Sequence, residues 1–215
     1  MTRKTKRLLR KSGSVFVSAA LWRNPVLTAA LGIYPVIAAA CTLKTGIALA
    51  LMMLFTMPFV CLISCFVGNR IPSWIRPGAV VVCSAVFYGP AFLLVNYLLP
   101  DVLPELTLYA PLMITNSVVL SHANDYAPSH RAIAVVADSL GSTAGFAGTV
   151  ILVSAVRGLW MNGIFWEPAS KATGVASLPF VGLILLAFLA ALLQRANHKR
   201  ALHKTRRRQE RGEQV

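Results

Sequence analysis

The sequence predicts an all-α polytopic membrane protein: six transmembrane helices in two inverted three-helix repeats, with helices one and four broken. Three observations carry that reading. Of 215 residues, 56% are hydrophobic and 13% charged, and a mean hydropathy of +0.65 exceeds that of a domain with an ordinary solvated surface. The 21 Lys and Arg residues far outnumber the seven Asp and Glu, yet seven of the basic residues fall in residues 1–23 and eight in residues 195–215. The stretch between is apolar and interrupted at regular intervals, which excludes collagen, a coiled coil, a disulfide scaffold or a disordered tail as a description of the whole. Residues 1–23 therefore read as a basic N-terminal segment, 24–194 as the membrane domain and 195–215 as a basic tail.

A crossing helix needs about 20 mostly apolar residues. The first stretch, 25–41, opens with Asn24 as N-cap and Pro25 at the first helical position, where a missing N–H costs nothing. Residues 45–67 are continuous, and 77–99 follow the polar turn at 68–73. Residues 106–120 are short for a crossing; 132–156 and 174–193 complete the six, the last ending at Gln194-Arg195. Ahead of the first crossing, residues 12–22 are weakly apolar and run into Arg23, which suits an interfacial helix better than a secretory signal.

Six crossings place both termini on one face. That face carries the seven N-terminal basic residues, Arg70, Arg76, Arg131 and the eight of the tail, 18 in total, against Lys44, Arg157 and Lys171 opposite. The positive-inside rule then puts both ends in the cytoplasm. Basic ends of this kind orient the chain and touch anionic headgroups, at about 1 kcal/mol per residue near the surface. No nucleic-acid partner is expected, because Arg206-Arg207-Arg208 has neither interleaved aromatics nor a folded basic module beside it.

Crossings one and four carry residues that disturb a helical ladder. Gly32 and Pro35 interrupt the first, and Pro35 removes a donor and clashes with the carbonyl four residues back. Ala110-Pro111 followed by Thr115-Asn116-Ser117 interrupts the fourth. Loosened backbone at membrane depth is tolerated only where protein or a water-lined cavity satisfies it. Because each half has an odd number of crossings, the second half is inverted, and the two breaks are expected to meet near the midplane as a functional centre. Crossing five offers a small-residue face, Ala137, Gly141 and Gly145 with Ala144 and Gly148 beside it, suited to close helix packing. Asp138, near one end of that crossing, is costly unless paired or hydrated and is a candidate functional residue.

Four cysteines, at 41, 61, 65 and 83, lie in or at the ends of crossings without a CxxC and read as packing residues. The four histidines are expected in loops or the tail. Nucleotide-binding, zinc-protease and nucleophile-elbow motifs are absent, so no catalytic residue is expected in this chain alone.

The runs Asn24-Pro25-Val26-Leu27 through Leu31-Gly32-Ile33-Tyr34-Pro35, Arg70-Ile71-Pro72-Ser73-Trp74-Ile75-Arg76 and Pro111-Leu112-Met113-Ile114-Thr115-Asn116-Ser117 resemble the Rnf/Nqr membrane subunits. Ala123 to Ala127, Ala137-Asp138-Ser139-Leu140-Gly141, Gly145-Phe146 and Val156-Arg157-Gly158 extend the similarity to about residues 24–166, in order and at the expected spacing. Within that family the chain is most similar to the subunits called E in Rnf complexes and D in sodium-pumping NADH:quinone oxidoreductases. The resemblance implies a subunit, not catalytic by itself, of a complex that couples electron transfer to Na+ or H+ translocation. It also implies a sister membrane subunit, other complex subunits, and a [2Fe-2S] cluster shared by the pair, each member giving one cysteine from each broken crossing.

At the matching positions this chain has Tyr34 and Ser117. A phenol and a hydroxyl are hard, protonated oxygen groups, whereas such clusters are held by soft thiolates. Cys41 is seven residues from Tyr34, about 10 Å along a helix, and Cys65 is the other thiol considered as a replacement ligand. The acidic residue the family has after the Arg157 position is Gly158 here. Three readings follow: an electron-transport subunit whose cluster is lost or held differently, a module that moves a small solute or ion, and a structural partner subunit. The expected centre comprises Gly32, Tyr34, Pro35, Thr115, Asn116 and Ser117, with Asp138 and Arg157 as charged residues near the ends of crossing five. For a solute or ion path, the hydroxyls, the Asn116 amide and freed carbonyls would be the ligands.

Overall fold

A computed structural model describes residues 13–38, 42–106, 109–160 and 179–210. The chain runs through α1 (Gly13–Trp22), α2 (Pro25–Ala29), α3 (Ile33–Ala38), α4 (Leu43–Val67), α5 (Arg76–Leu98), α6 (Leu103–Leu106), a 3-10 turn (Ala110–Thr115), α7 (Ser117–Ser121), α8 (Ala132–Trp160) and α9 (Pro179–Glu210). No strand occurs among the described residues. Within them, α4, α5, α8 and α9 are long and apolar enough to cross a membrane.

The centre of the molecule is the pair α4 and α8. Leu49, Met52, Met53 and Met57 of α4 and Phe146, Val150 and Val153 of α8 are fully buried in one core cluster. Gly46 lies directly against Ser154, so the absence of a side chain lets the two backbones approach. The start of α4 is set by Thr42, which accepts from the Thr45 N–H while the Thr45 hydroxyl accepts from the Thr42 N–H. This reciprocal cap starts the helix two residues before the predicted 45–67.

α5 and α9 are peripheral. About 56% of the apolar window of α4 and of α8 is buried, against 22% for α5 and 17% for α9. Val82, Val86, Leu93, Ile184 and Phe188 point outward. A surface this apolar is stable against lipid tails and not against water.

The fourth predicted crossing, 106–120, is not a continuous helix. After α6 the chain passes through the 3-10 turn, extends at Asn116 (φ −60°, ψ 121°) and restarts as α7, which continues into a π-helical turn over His122–Tyr126. Pro111 withholds a ladder donor, and the Asn116 side chain competes for the backbone by accepting from the Val118 N–H at 2.9 Å. His122, expected in a loop, is therefore held in helical backbone. The first predicted crossing is split into α2 and α3, and its last residues, with Cys41, lie outside the described residues, as do residues 174–178 of the sixth predicted one.

The segment before Arg23 forms α1, which packs on α8. A Cβ at Gly141 would come within 2.6 Å of the Phe16 carbonyl oxygen, and one at Gly145 within 2.8 Å of that of Ala20. The small-residue face of crossing five thus receives α1 of the same chain. α9 continues as helix beyond Gln194, and its basic stretch returns to α1: Asn197 Nδ2 donates to the Trp22 carbonyl at 3.2 Å, and the Arg200 guanidinium lies over the Trp22 ring.

Candidate functional site

The two broken segments touch. In the first, Ala30 (φ 55°) and Gly32 (φ 66°) both adopt left-handed backbone between α2 and α3. That conformation ends α2 in the way glycine commonly ends helices and turns the Gly32 N–H out of the ladder. Ser117 Oγ, at the start of α7, accepts from this N–H at 2.8 Å. In the other direction the Tyr34 hydroxyl donates to the Leu112 carbonyl, which also accepts from Thr115 Oγ1 at 3.3 Å. Val118 and Phe146 close the space around Gly32: a Cβ there would meet Val118 Cγ2 at 2.9 Å, Asn116 Oδ1 at 3.1 Å and Phe146 Cε2 at 3.3 Å.

The structure therefore brings Gly32, Asn116 and Ser117 together. Tyr34 reaches the same neighbourhood through Leu112, Pro35 is buried within α3, and Thr115 sits at the exposed edge. Asp138 and Arg157, by contrast, are some distance from this point, 19 residues apart on α8, or about 28 Å along its axis. Each holds one end of a broken segment. Asp138 Oδ2 is 2.8 Å from His122 Nδ1 at the end of α7. Arg157, fully buried, donates from Nη1 to the Ile37 carbonyl at 2.9 Å, near the end of α3. A guanidinium at that carbonyl end complements the negative end of the helix dipole.

Between them, Asn24 ties the start of α2 to α8. Its side-chain oxygen accepts from the Val26 and Leu27 N–H groups, and Nδ2 donates to the Gly145 carbonyl at 2.9 Å and to Thr149 Oγ1 at 3.0 Å. The sequence marks Asn24 as a cap, but its role as a bridge to α8 and the His122 partnership escape sequence reasoning. The signal that could have found the bridge is chemical: a capping asparagine has two further N–H donors to satisfy.

A cavity of about 310 Å³ lies beside these groups, its mixed wall combining Arg23, His122, Asp125 and Asp138 with apolar residues such as Ala29 and Leu31. The buried Ser142 hydroxyl in its wall has no hydrogen-bond partner among the described residues. Burial, with the Asp138 carboxylate adding to it and Arg23 opposing, raises the Tyr126 phenol above its ordinary value. The Tyr126 ring also stacks on His130, centroids 3.8 Å apart.

A family model described as "Rnf-Nqr subunit, membrane protein" matches residues 13–192. The chain belongs to the Rnf-Nqr family. It is 26% identical to the E subunit of the ion-translocating oxidoreductase complex of Methanosarcina acetivorans, over 70% of this chain and 71% of that one. The E subunit of the proton-translocating ferredoxin:NAD(+) oxidoreductase complex of Clostridium ljungdahlii is 22% identical over 84% of this chain and 87% of its own length. The D subunit of the Na(+)-translocating NADH-quinone reductase of Psychromonas ingrahamii is 26% identical over 70% and 71%.

The described residues at the junction of this Rnf-Nqr chain do not fit the [2Fe-2S] cluster that the resemblance implies, and Cys41 lies outside the described residues. Ser117 Oγ and the Tyr34 hydroxyl are oxygen groups already engaged with Gly32 and Leu112. Cys61 and Cys65 are on α4 and Cys83 on α5, away from both broken segments in the chain, and the Cys65 thiol faces the His130 carbonyl at 3.3 Å. Among the described residues, no group of three or more His, Cys, Asp or Glu side chains is placed to hold a metal ion.

Proposed function

We propose that this chain is an integral membrane subunit of an electron-transport complex that couples electron transfer to translocation of Na+ or H+. The observation that carries the reading is the family match across residues 13–192, together with relatives named as E or D subunits of ion-translocating oxidoreductases. In this reading the chain makes six crossings as two inverted three-helix repeats. α2 with α3 forms crossing one, and the segment from α6 through α7 forms crossing four. Both termini are cytoplasmic in a bacterial inner membrane, a placement the loop charges favour. Gly32, Tyr34, Pro35, Thr115, Asn116 and Ser117 form the centre. Asp138 and Arg157 hold the broken segments to α8, and the partners are a sister membrane subunit and further complex subunits.

The test is to tag the chain, purify it from native membranes, and identify the proteins that accompany it. Flavin- and iron–sulfur-carrying partners, and loss of donor-driven Na+ or H+ uptake by inverted vesicles when the gene is deleted, are the expected results. Unchanged uptake in the deletion strain removes the reading. Topology is checked separately by thiol labelling in a background free of native cysteines: Ser129→Cys is expected to react from the cytoplasmic side and Asp101→Cys from the outside.

A second reading, movement of a small ion or solute by the chain itself, is favoured by the cavity that holds the charged and titratable side chains of Arg23, His122, Asp125 and Asp138. It predicts uptake into vesicles holding the purified chain alone, without an electron donor.

A further inference from the structure

We propose that the junction of the two broken segments is a hydrogen-bonded joint that replaces a metal cluster in this chain, with Tyr34 and Ser117 as its straps. The two bonds are reciprocal. Segment one offers a backbone donor, Gly32 N–H, to a side chain of segment two, Ser117. It also offers a side-chain donor, the Tyr34 hydroxyl, to a backbone acceptor of segment two, the Leu112 carbonyl. Each strap thus serves a backbone group at an interruption of the helical ladder, where lipid offers no substitute partner.

Packing and chemistry agree with the bonding. The space around Gly32 is closed by Val118, the Asn116 amide oxygen and Phe146, none of which is a metal ligand for iron–sulfur chemistry. Asn116 itself is fully buried, and its side-chain oxygen is spent on the Val118 N–H. A thiolate pair would need partners to complete four ligands, whereas two hydroxyl-centred bonds are complete within one chain. The joint therefore holds the segments in the same way whatever the redox state around it. This inference rests on the contacts within the chain and stands apart from the proposed role in a complex.

The experiment measures iron and acid-labile sulfide on the full chain, purified alone and together with its sister membrane subunit, and on its Tyr34→Phe, Ser117→Ala and Ser117→Thr variants, with thermal unfolding in detergent of the full chain and each variant. Wild type is expected to hold well below half a cluster per chain in either preparation. Ser117→Ala, which removes the part-buried bond to Gly32, should lower the unfolding midpoint by about 2–4 °C, and Tyr34→Phe, whose bond to Leu112 is more exposed, by about 1–2 °C. Ser117→Thr, which keeps the hydroxyl, should recover most of the loss. Stoichiometric iron and sulfide in wild type that disappear in either variant overturn the proposal, and so do unchanged midpoints in both variants. If a variant fails to accumulate, the wild-type iron and sulfide content decides by itself.

Discussion

The two broken segments meet at one point but are broken by different means. Segment one uses left-handed backbone: Ala30 and Gly32 reverse the sense of the chain locally, and helix resumes at once in α3. Segment two has no positive φ among its described residues; it tightens into a 3-10 turn, extends at Asn116 and is restarted by that residue's own side chain. The first kind of break depends at Gly32 on the absence of a Cβ, the second on the presence of an amide. Asn24 and Asn116 share nearly the same backbone (φ −53°, ψ 118° and φ −60°, ψ 121°) and both cap the helix that follows. Asn24, however, also binds α8 through its nitrogen, while the Asn116 nitrogen faces only the weak acceptor Met113 Sδ at 3.5 Å.

Substitutions at these positions separate the two mechanisms. The largest effect is expected from Gly32→Val, which adds left-handed strain to a contact already closed by Val118 and Phe146. A loss of about 2–4 kcal/mol, read as a lower unfolding midpoint or failure to accumulate in membranes, is the outcome. Asn24→Ala removes a cap and two bonds to α8, so about 2–3 kcal/mol is expected in equilibrium unfolding. Asn116→Ala removes the cap alone and should cost about 1–2 kcal/mol, most of it restored by Asn116→Ser. An equal cost at Asn24 and Asn116 would show that the bridge to α8 adds nothing. The smallest effect has the opposite sign: Ala30→Gly relieves a left-handed alanine and should stabilise by about 0.5 kcal/mol, visible as a small rise in the midpoint.

The contrast also explains which parts are legible in the sequence. Gly32, Pro111 and Asn116 signal interruptions because their effects on the ladder are local, and the Asn24-Pro25 pair marks a helix start for the same reason. What fills the interruptions is not local. Gly32 meets Ser117 across 85 residues, and Arg157 meets Ile37 across 120. The small-residue face of α8 is readable as a packing surface, but that its occupant is α1 is not. Likewise Asp138 stands out as an acid that needs a partner, while His122 lies 16 residues away with a change of direction between them.

Hydropathy, loop charge and the family-specific runs are sufficient to place this chain in a membrane and in its family, since each depends on residue identity along the chain alone. Which helix lies inside is left to the tertiary structure. α4 and α5 are both apolar on all sides, so no stripe on either distinguishes a core face from a lipid face. Lipid tails and buried side chains solvate such a helix almost equally well, and small residues alone do not decide it either: Gly46 of α4 is closed against Ser154 of α8, while Gly78 and Gly89 of α5 have no neighbour among the described residues.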